Sequence, residues 1–311
     1  MEHYVTLFNS LFLPQGLALH MSMERHIKQY VLWILCVDDI AYEVLDKLQL
    51  PNVRLLNLRL LETTELKNIK SSRNIGEYCW TLTPYAPRFV FEADQGVSRV
   101  TYLDADLWFK ESPSIIFKEL EDSKKNVLIT EHGYAPEYDQ SVSSGKYCVQ
   151  FITFEKNNGE EVRKWWEEKC TEWCFDRIED GKFGDQKYLD DWPDRFSKKV
   201  HVLLNKGLTL APWNACRYPY GNAVFYHFHG LRIISPNKIS VGNYYLPKAL
   251  YNNVYLPYFA DLKNALKILK KNGAEFRSQN KRLSIHRKIY RTILKIRTSI
   301  QNLTTSGDVS W

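Results

Sequence analysis

The chain opens with short apolar runs separated by helix-length segments. Residues 5–8 and 30–37 read as buried strands, because near-continuous apolar sequence marks a strand covered on both faces. Residues 17–26 read as the helix between them. A helix over 41–48 and a third strand over 53–58 follow. Residues 74–91 look helical, interrupted near Pro84 and Pro87. Strands are expected at 99–103, 127–130 and 148–154, a helix at 159–174, and late strands at 200–204 and 223–228. Strand–helix alternation over the first ~130 residues predicts an α/β fold with a mostly parallel sheet and helices on both faces. Such sheets bind ligands at the carboxyl ends of their strands.

Composition narrows the class. The 311 residues are 44% hydrophobic and 25% charged, the balance of a folded protein. No stretch approaches the ~18 apolar residues of a membrane span. The first residues lack the basic start, apolar middle and cleavage site of a signal peptide, so a cytoplasmic protein is expected. None of the six cysteines forms a Cys-x-x-Cys pair, and all six are read as reduced thiols. The net charge of +6 hides an asymmetry. Residues 261–301 hold twelve Lys/Arg against two acids, whereas residues 1–260 carry 30 Lys/Arg against 33 Asp/Glu. A near-neutral body argues against a nucleic-acid enzyme, whose groove would be basic.

Four segments carry candidate chemistry. Tyr102-Leu103-Asp104-Ala105-Asp106 places two carboxylates two residues apart as an apolar strand ends. Both can approach one hard divalent cation, such as Mn²⁺ or Mg²⁺, that keeps positions open for phosphate oxygens. His227 and His229 flank Phe228, and only one of the two is expected to face the site. One imidazole would complete a mixed nitrogen–oxygen metal site, with Arg232 nearby as a phosphate-binding fork. Asp185-Gln186 opens an amphipathic segment, where the plain alternative is a helix cap. Leu210-Ala211-Pro212-Trp213-Asn214 is a proline-bounded turn presenting an indole and an amide.

These segments occur together in the order found in bacterial GT-A glycosyltransferases. The chain resembles glycosyltransferase family 8 and related transferases of polysaccharide gene clusters, over roughly residues 4–235. The resemblance implies a nucleotide-diphospho-sugar transferase fold, a Rossmann-like mixed sheet flanked by helices. It implies a nucleotide-sugar donor, most often a UDP-sugar, and a metal held by Asp104, Asp106 and His227. Phe8, Asn9 and Ser10 would lie against the nucleobase, and Arg88 toward the donor. Asp185 and Gln186 would stand beside the anomeric carbon or the acceptor, a glycan or lipid-linked glycan of surface polysaccharide synthesis. Retention is favoured by analogy with family 8. Asn9 and Cys148 replace polar residues common among relatives, which keeps a catalytically inactive sugar-nucleotide-binding scaffold as the alternative.

Two domains are expected, a catalytic domain over 1–260 and a basic helical tail over 261–311. Within the tail, residues 281–303 read as one helix. Ile285, Ile289, Ile293, Ile296, Ile300 and Leu303 form an apolar stripe flanked by Lys and Arg. The pattern suits a helix lying on an anionic membrane surface, so peripheral association with the inner face of the cytoplasmic membrane is expected.

Overall fold

The computed structural model describes residues 1–279 and the strand Asp308–Ser310. The predicted tail helix over 281–303 lies outside the described residues.

A seven-stranded sheet runs through the centre. Its order is Val53–Asn57, Tyr30–Cys36, Glu2–Phe8, Arg99–Leu103, Tyr147–Glu155, Val127–Glu131, Val200–Val202. The first four strands are parallel, and Tyr147–Glu155 runs antiparallel to both of its neighbours. The α/β fold class expected from alternation is therefore present, with a mixed sheet. Tyr30–Cys36 is buried at every position, as its unbroken apolar run demands. The helix Leu13–His26 crosses one face, with Pro14 in its first turn, where a missing N–H costs nothing. Asp38 caps the helix Asp39–Leu48 by accepting from the Ala41 N–H at 2.7 Å. The segment 74–91 divides into Ile75–Leu82 and Tyr85–Ala93, broken at Pro84, and Asn74 with Glu77 closes a capping box on the first.

A small second sheet makes the site. Phe225–His227 pairs antiparallel to Leu107–Phe109 and parallel to Thr209–Leu210. The Asp104-Ala105-Asp106 turn is the crossing between the two sheets. A hairpin, Arg232–Ser235 with Lys238–Ser240, follows and is joined by the strand Asp308–Ser310.

Sequence reading passed over this hairpin and expected helix only from residue 261, where the structure has a helix over Leu256–Lys271. Phe259, Leu262, Ala265 and Leu269 of that helix are buried, and Asp261 accepts from the Trp108 indole at 2.7 Å. The division expected at residue 260 thus falls inside a packed helix. Beyond it the chain turns back to the body. Gln279 is buried, donates from Nε2 to the Leu11 carbonyl, exchanges hydrogen bonds with Gln15, and pairs with the Ile233 backbone. Among the described residues no helix is long and apolar enough to cross a membrane.

Candidate active site

The carboxyl ends of the parallel strands open into a cavity of about 780 Å³. Its floor is the turn after Arg99–Leu103. The Asp104 N–H donates to the Gln150 carbonyl at 3.1 Å, and the Phe228 N–H donates to the Asp106 carbonyl at 3.0 Å. The pairing of His227 with Leu107 brings the imidazole against both acids. Its Nε2 lies 3.1 Å from Asp106 Oδ1 and 3.7 Å from Asp104 Oδ2. One ligand atom from each of Asp104, Asp106 and His227 falls within 4.8 Å of the others. Two carboxylate oxygens and one imidazole nitrogen suit Mn²⁺ or Mg²⁺ and leave coordination positions for phosphate.

Electrostatics support the same use. Burial and the neighbouring Asp106 raise Asp104 above the usual carboxylate range. Burial would raise Asp106 as well, but its ion pair with His227 holds it below. Burial would likewise lower His227, and the Asp106 carboxylate overrides it and raises the imidazole. Two acids crowded beside one cationic ring form a site whose charge a divalent ion would balance.

Asp185 faces the same cavity. Gly184, at φ +52°, turns the chain there, in a conformation glycine takes without strain. The Asp185 side chain is buried, its Oδ2 has no hydrogen-bond partner among the described residues, and burial, with Asp104 adding to it and a hydrogen bond with Thr83 opposing it, pushes its carboxyl up to about 7. The helix-cap alternative does not hold. The following turn, Lys187–Asp191, begins at Gln186 and has no side-chain cap. Gln186 also lines the cavity, and its Nε2 is fastened to the Ser144 carbonyl at 2.8 Å.

Aromatic rings build one wall. His132 stacks on Tyr134 with centroids 4.6 Å apart, and burial lowers this histidine to about 3, so it is neutral. Trp213 packs edge-on against His132, His227 and His229, and its Nε1 donates to the His132 carbonyl at 2.9 Å. Asn214 donates to the same carbonyl and closes the turn, so in the Leu210–Asn214 segment the indole faces the site and the amide holds the loop.

Phe8, Asn9 and Arg232 line the cavity. The Asn9 Oδ1 accepts from the Leu11 N–H at 3.1 Å, and Arg232 makes no ion pair among the described residues. Three expectations need correction. Arg88 is not at the site: it pairs with Glu92 and Glu167 in a separate surface depression, because the helix Tyr85–Ala93 turns it away from the strand ends. The Ser10 hydroxyl is taken by Asp38 at 2.7 Å and also accepts from Arg277, so it is not among the cavity's lining residues. His229 is not turned away: its ring stands 5.7 Å from that of His227 in the same cavity, because residues two apart on an extended chain share a face. Phe228 alone takes the other face, stacked on Tyr258.

Sequence reading missed Gln150 and the wall residues His132, Tyr134 and Tyr244. Gln150 left one signal, a lone amide in the apolar strand Tyr147–Glu155.

Fold and site together define a chain of the GT-A glycosyltransferase fold. The galactosyltransferase LgtC, solved in complex with donor and acceptor sugar analogs, superposes with a TM-score of 0.53 at 13% identity, over 84% of this chain and 95% of that one. The glycosyltransferase GlyE of Streptococcus pneumoniae TIGR4 superposes with a TM-score of 0.51 at 12% identity, over 90% of this chain and 67% of that one. No protein-family profile matches the chain. The uncharacterized protein YfnF of Bacillus subtilis (strain 168) is 32% identical over 256 residues, which span 76% of this chain and 84% of YfnF, and the chain belongs to the YfnF family. The uncharacterized protein YfnD of the same organism is 28% identical over 281 residues, 84% of this chain and 88% of YfnD.

Proposed function

We propose that this protein is a metal-dependent glycosyltransferase that moves a sugar from a nucleoside-diphosphate-sugar donor to a hydroxyl of a glycan or lipid-linked glycan. One observation carries the reading: a cation-ready triad, Asp104, Asp106 and His227, shares one cavity with the buried carboxyl of Asp185, whose Oδ2 has no hydrogen-bond partner among the described residues. A bound Mn²⁺ or Mg²⁺ would offset the negative charge that develops on the leaving diphosphate. Arg232, lining the same cavity, adds a fixed positive charge for that group. Asp185 stands where a carboxyl either takes the proton of the attacking hydroxyl or supports the electron-poor sugar ring. Gln186, anchored through its Nε2, offers Oε1 to a sugar hydroxyl and orients it. The aromatic wall supplies flat apolar faces for sugar rings and keeps water from the reacting carbon.

The order of the motifs supports kinship with family 8 within the GT-A fold, and with it a UDP-sugar as the first donor to try and retention of configuration. A place in surface polysaccharide synthesis follows from that kinship. The basic tail supports peripheral adsorption to an anionic leaflet at the cytoplasmic face; this part rests on the sequence alone. The test is donor turnover in a panel of nucleotide sugars with Mn²⁺, with and without chelator. Chelator-sensitive release of the nucleoside diphosphate is the expected result. Binding of a donor with no turnover in any condition would favour the inactive scaffold, and turnover unaffected by chelator would overturn the metal's role.

A further inference from the structure

Gln150 occupies the middle of Tyr147–Glu155, between Arg99–Leu103 and Val127–Glu131, and its side chain is completely buried. It touches two of the three candidate metal ligands. Its carbonyl accepts from the Asp104 N–H at 3.1 Å, and its side-chain Oε1 lies 2.9 Å from His227 Nδ1. Its Nε2 is buried with no hydrogen-bond partner among the described residues. A buried unsatisfied donor is destabilising, and a leucine or methionine would fill the same space without that cost. Among the described residues, the amide's one side-chain hydrogen bond is the one to His227.

We propose that Gln150 is a positioning residue for the metal site, holding the proton of His227 on Nδ1 so that Nε2 presents its lone pair to the cation. An oxygen that can only accept, placed against Nδ1, requires a proton there. The neutral ring then has one nitrogen left for coordination, and it is the nitrogen beside Asp104 and Asp106. The bond also fixes the plane of the ring. The main-chain bond from the same residue ties Asp104 to the same strand, so both ligands share one rigid support. This inference rests on the proposed metal-dependent reading of the site.

Mn²⁺ binding to the full chain, followed by the loss of the free-ion electron paramagnetic resonance signal, tests it without a donor or acceptor. Gln150→Leu is expected to lower Mn²⁺ affinity by about 10–100-fold, the usual effect of losing such a support. Its melting temperature should stay level or rise, because the orphaned donor goes too. Gln150→Met should behave alike. Gln150→Glu keeps an acceptor against Nδ1 and should recover most of the affinity. Affinity within twofold of wild type in the leucine or methionine variant, with unchanged melting, would reduce Gln150 to a filler of the core. Should neither variant fold, ¹⁵N spectra of the His227 ring in the Mg²⁺-loaded wild type decide: a protonated Nδ1 supports the proposal, and a bare Nδ1 overturns it. Wild-type protein that binds neither Mn²⁺ nor Mg²⁺ would overturn the metal-dependent reading itself. Wild-type binding matched by the leucine variant would sink only the role of Gln150.

Discussion

The indole of Trp166 and the backbone of Asp185 are joined at 2.8 Å, Nε1 donating to the carbonyl from the buried face of the helix Glu160–Glu172. That bond anchors the turn 181–186 by its main chain and leaves the carboxyl to the cavity. The carboxyl itself keeps a hydrogen bond with the Thr83 side chain, but burial and the neighbouring Asp104 outweigh it and favour the protonated acid.

The first prediction follows from that proton. The Asp185 carboxyl sits at about 7 in the folded protein against an ordinary value of 3.8. The folded state therefore binds a proton that the unfolded state has released between these values, so stability falls as pH rises through the window. Asp185→Asn escapes that fall. In metal-free protein the variant should melt close to wild type near pH 4 and several degrees above it at pH 8. The same variant should lose at least ~100-fold in kcat, the scale of a lost acid–base group, with little change in donor Kd. Equal melting temperatures at pH 8 would show that the carboxyl is not penalised by burial.

The two histidines should separate by degree. His227→Ala and Asp106→Ala should abolish Mn²⁺ binding and chelator-sensitive turnover. His229→Ala, whose ring neighbours His227 without joining the triad, should retain metal and raise the KM for donor or acceptor. Metal loss in the His229 variant matching that of His227→Ala would mean that the second imidazole also coordinates.

Arg88 should be dispensable for chemistry. Its side chain is 34% exposed and pairs with Glu167 and Glu92, so Arg88→Ala should cost at most ~1 kcal/mol of stability after solvent screening. Donor Kd within twofold of wild type is the expected reading. A tenfold loss would put the guanidinium back in the donor path.

Gly16 offers a test by sign. In an ordinary exposed helix position, alanine exceeds glycine by about 1 kcal/mol. Here the Phe8 ring occupies the space that a Cβ at Gly16 would need, and Phe8 itself is buried. Overpacking of this kind typically costs about 1–3 kcal/mol. Gly16→Ala should therefore destabilise the protein. Because Phe8 lines the cavity, it should also weaken nucleotide binding, measured by calorimetry with UDP. A gain in melting temperature would show that the ring moves freely.

Much of this was legible because the carriers are local. Asp104 and Asp106 follow a strand whose apolar run ends in the sequence itself, and Pro84 breaks its helix by a rule of backbone chemistry. Arg88 and Ser10 were misplaced because rotation about a helix axis and capture by Asp38 are set by tertiary packing, not by spacing. The pairing of Gln150 with His227 joins strands of different sheets, and no pattern along the chain encodes that meeting. The packing of the helix Leu256–Lys271 against the body was hidden by its lysines. Its buried stripe of Phe259, Leu262, Ala265 and Leu269 sits among solvated charges, and a count of cations does not see it.

Gln279 has a consequence for how the molecule is made. It clasps the Leu11 loop at the start of the chain to the Arg232 hairpin near its end. A nascent chain emerging from the ribosome can pair its first three strands early, since they are neighbours in both sequence and space. It cannot complete this side of the cavity until residue 279 is free of the exit tunnel. Partly synthesised protein would thus carry the sheet without a finished donor pocket, and binding competence would arrive late in synthesis, after most of the core is in place.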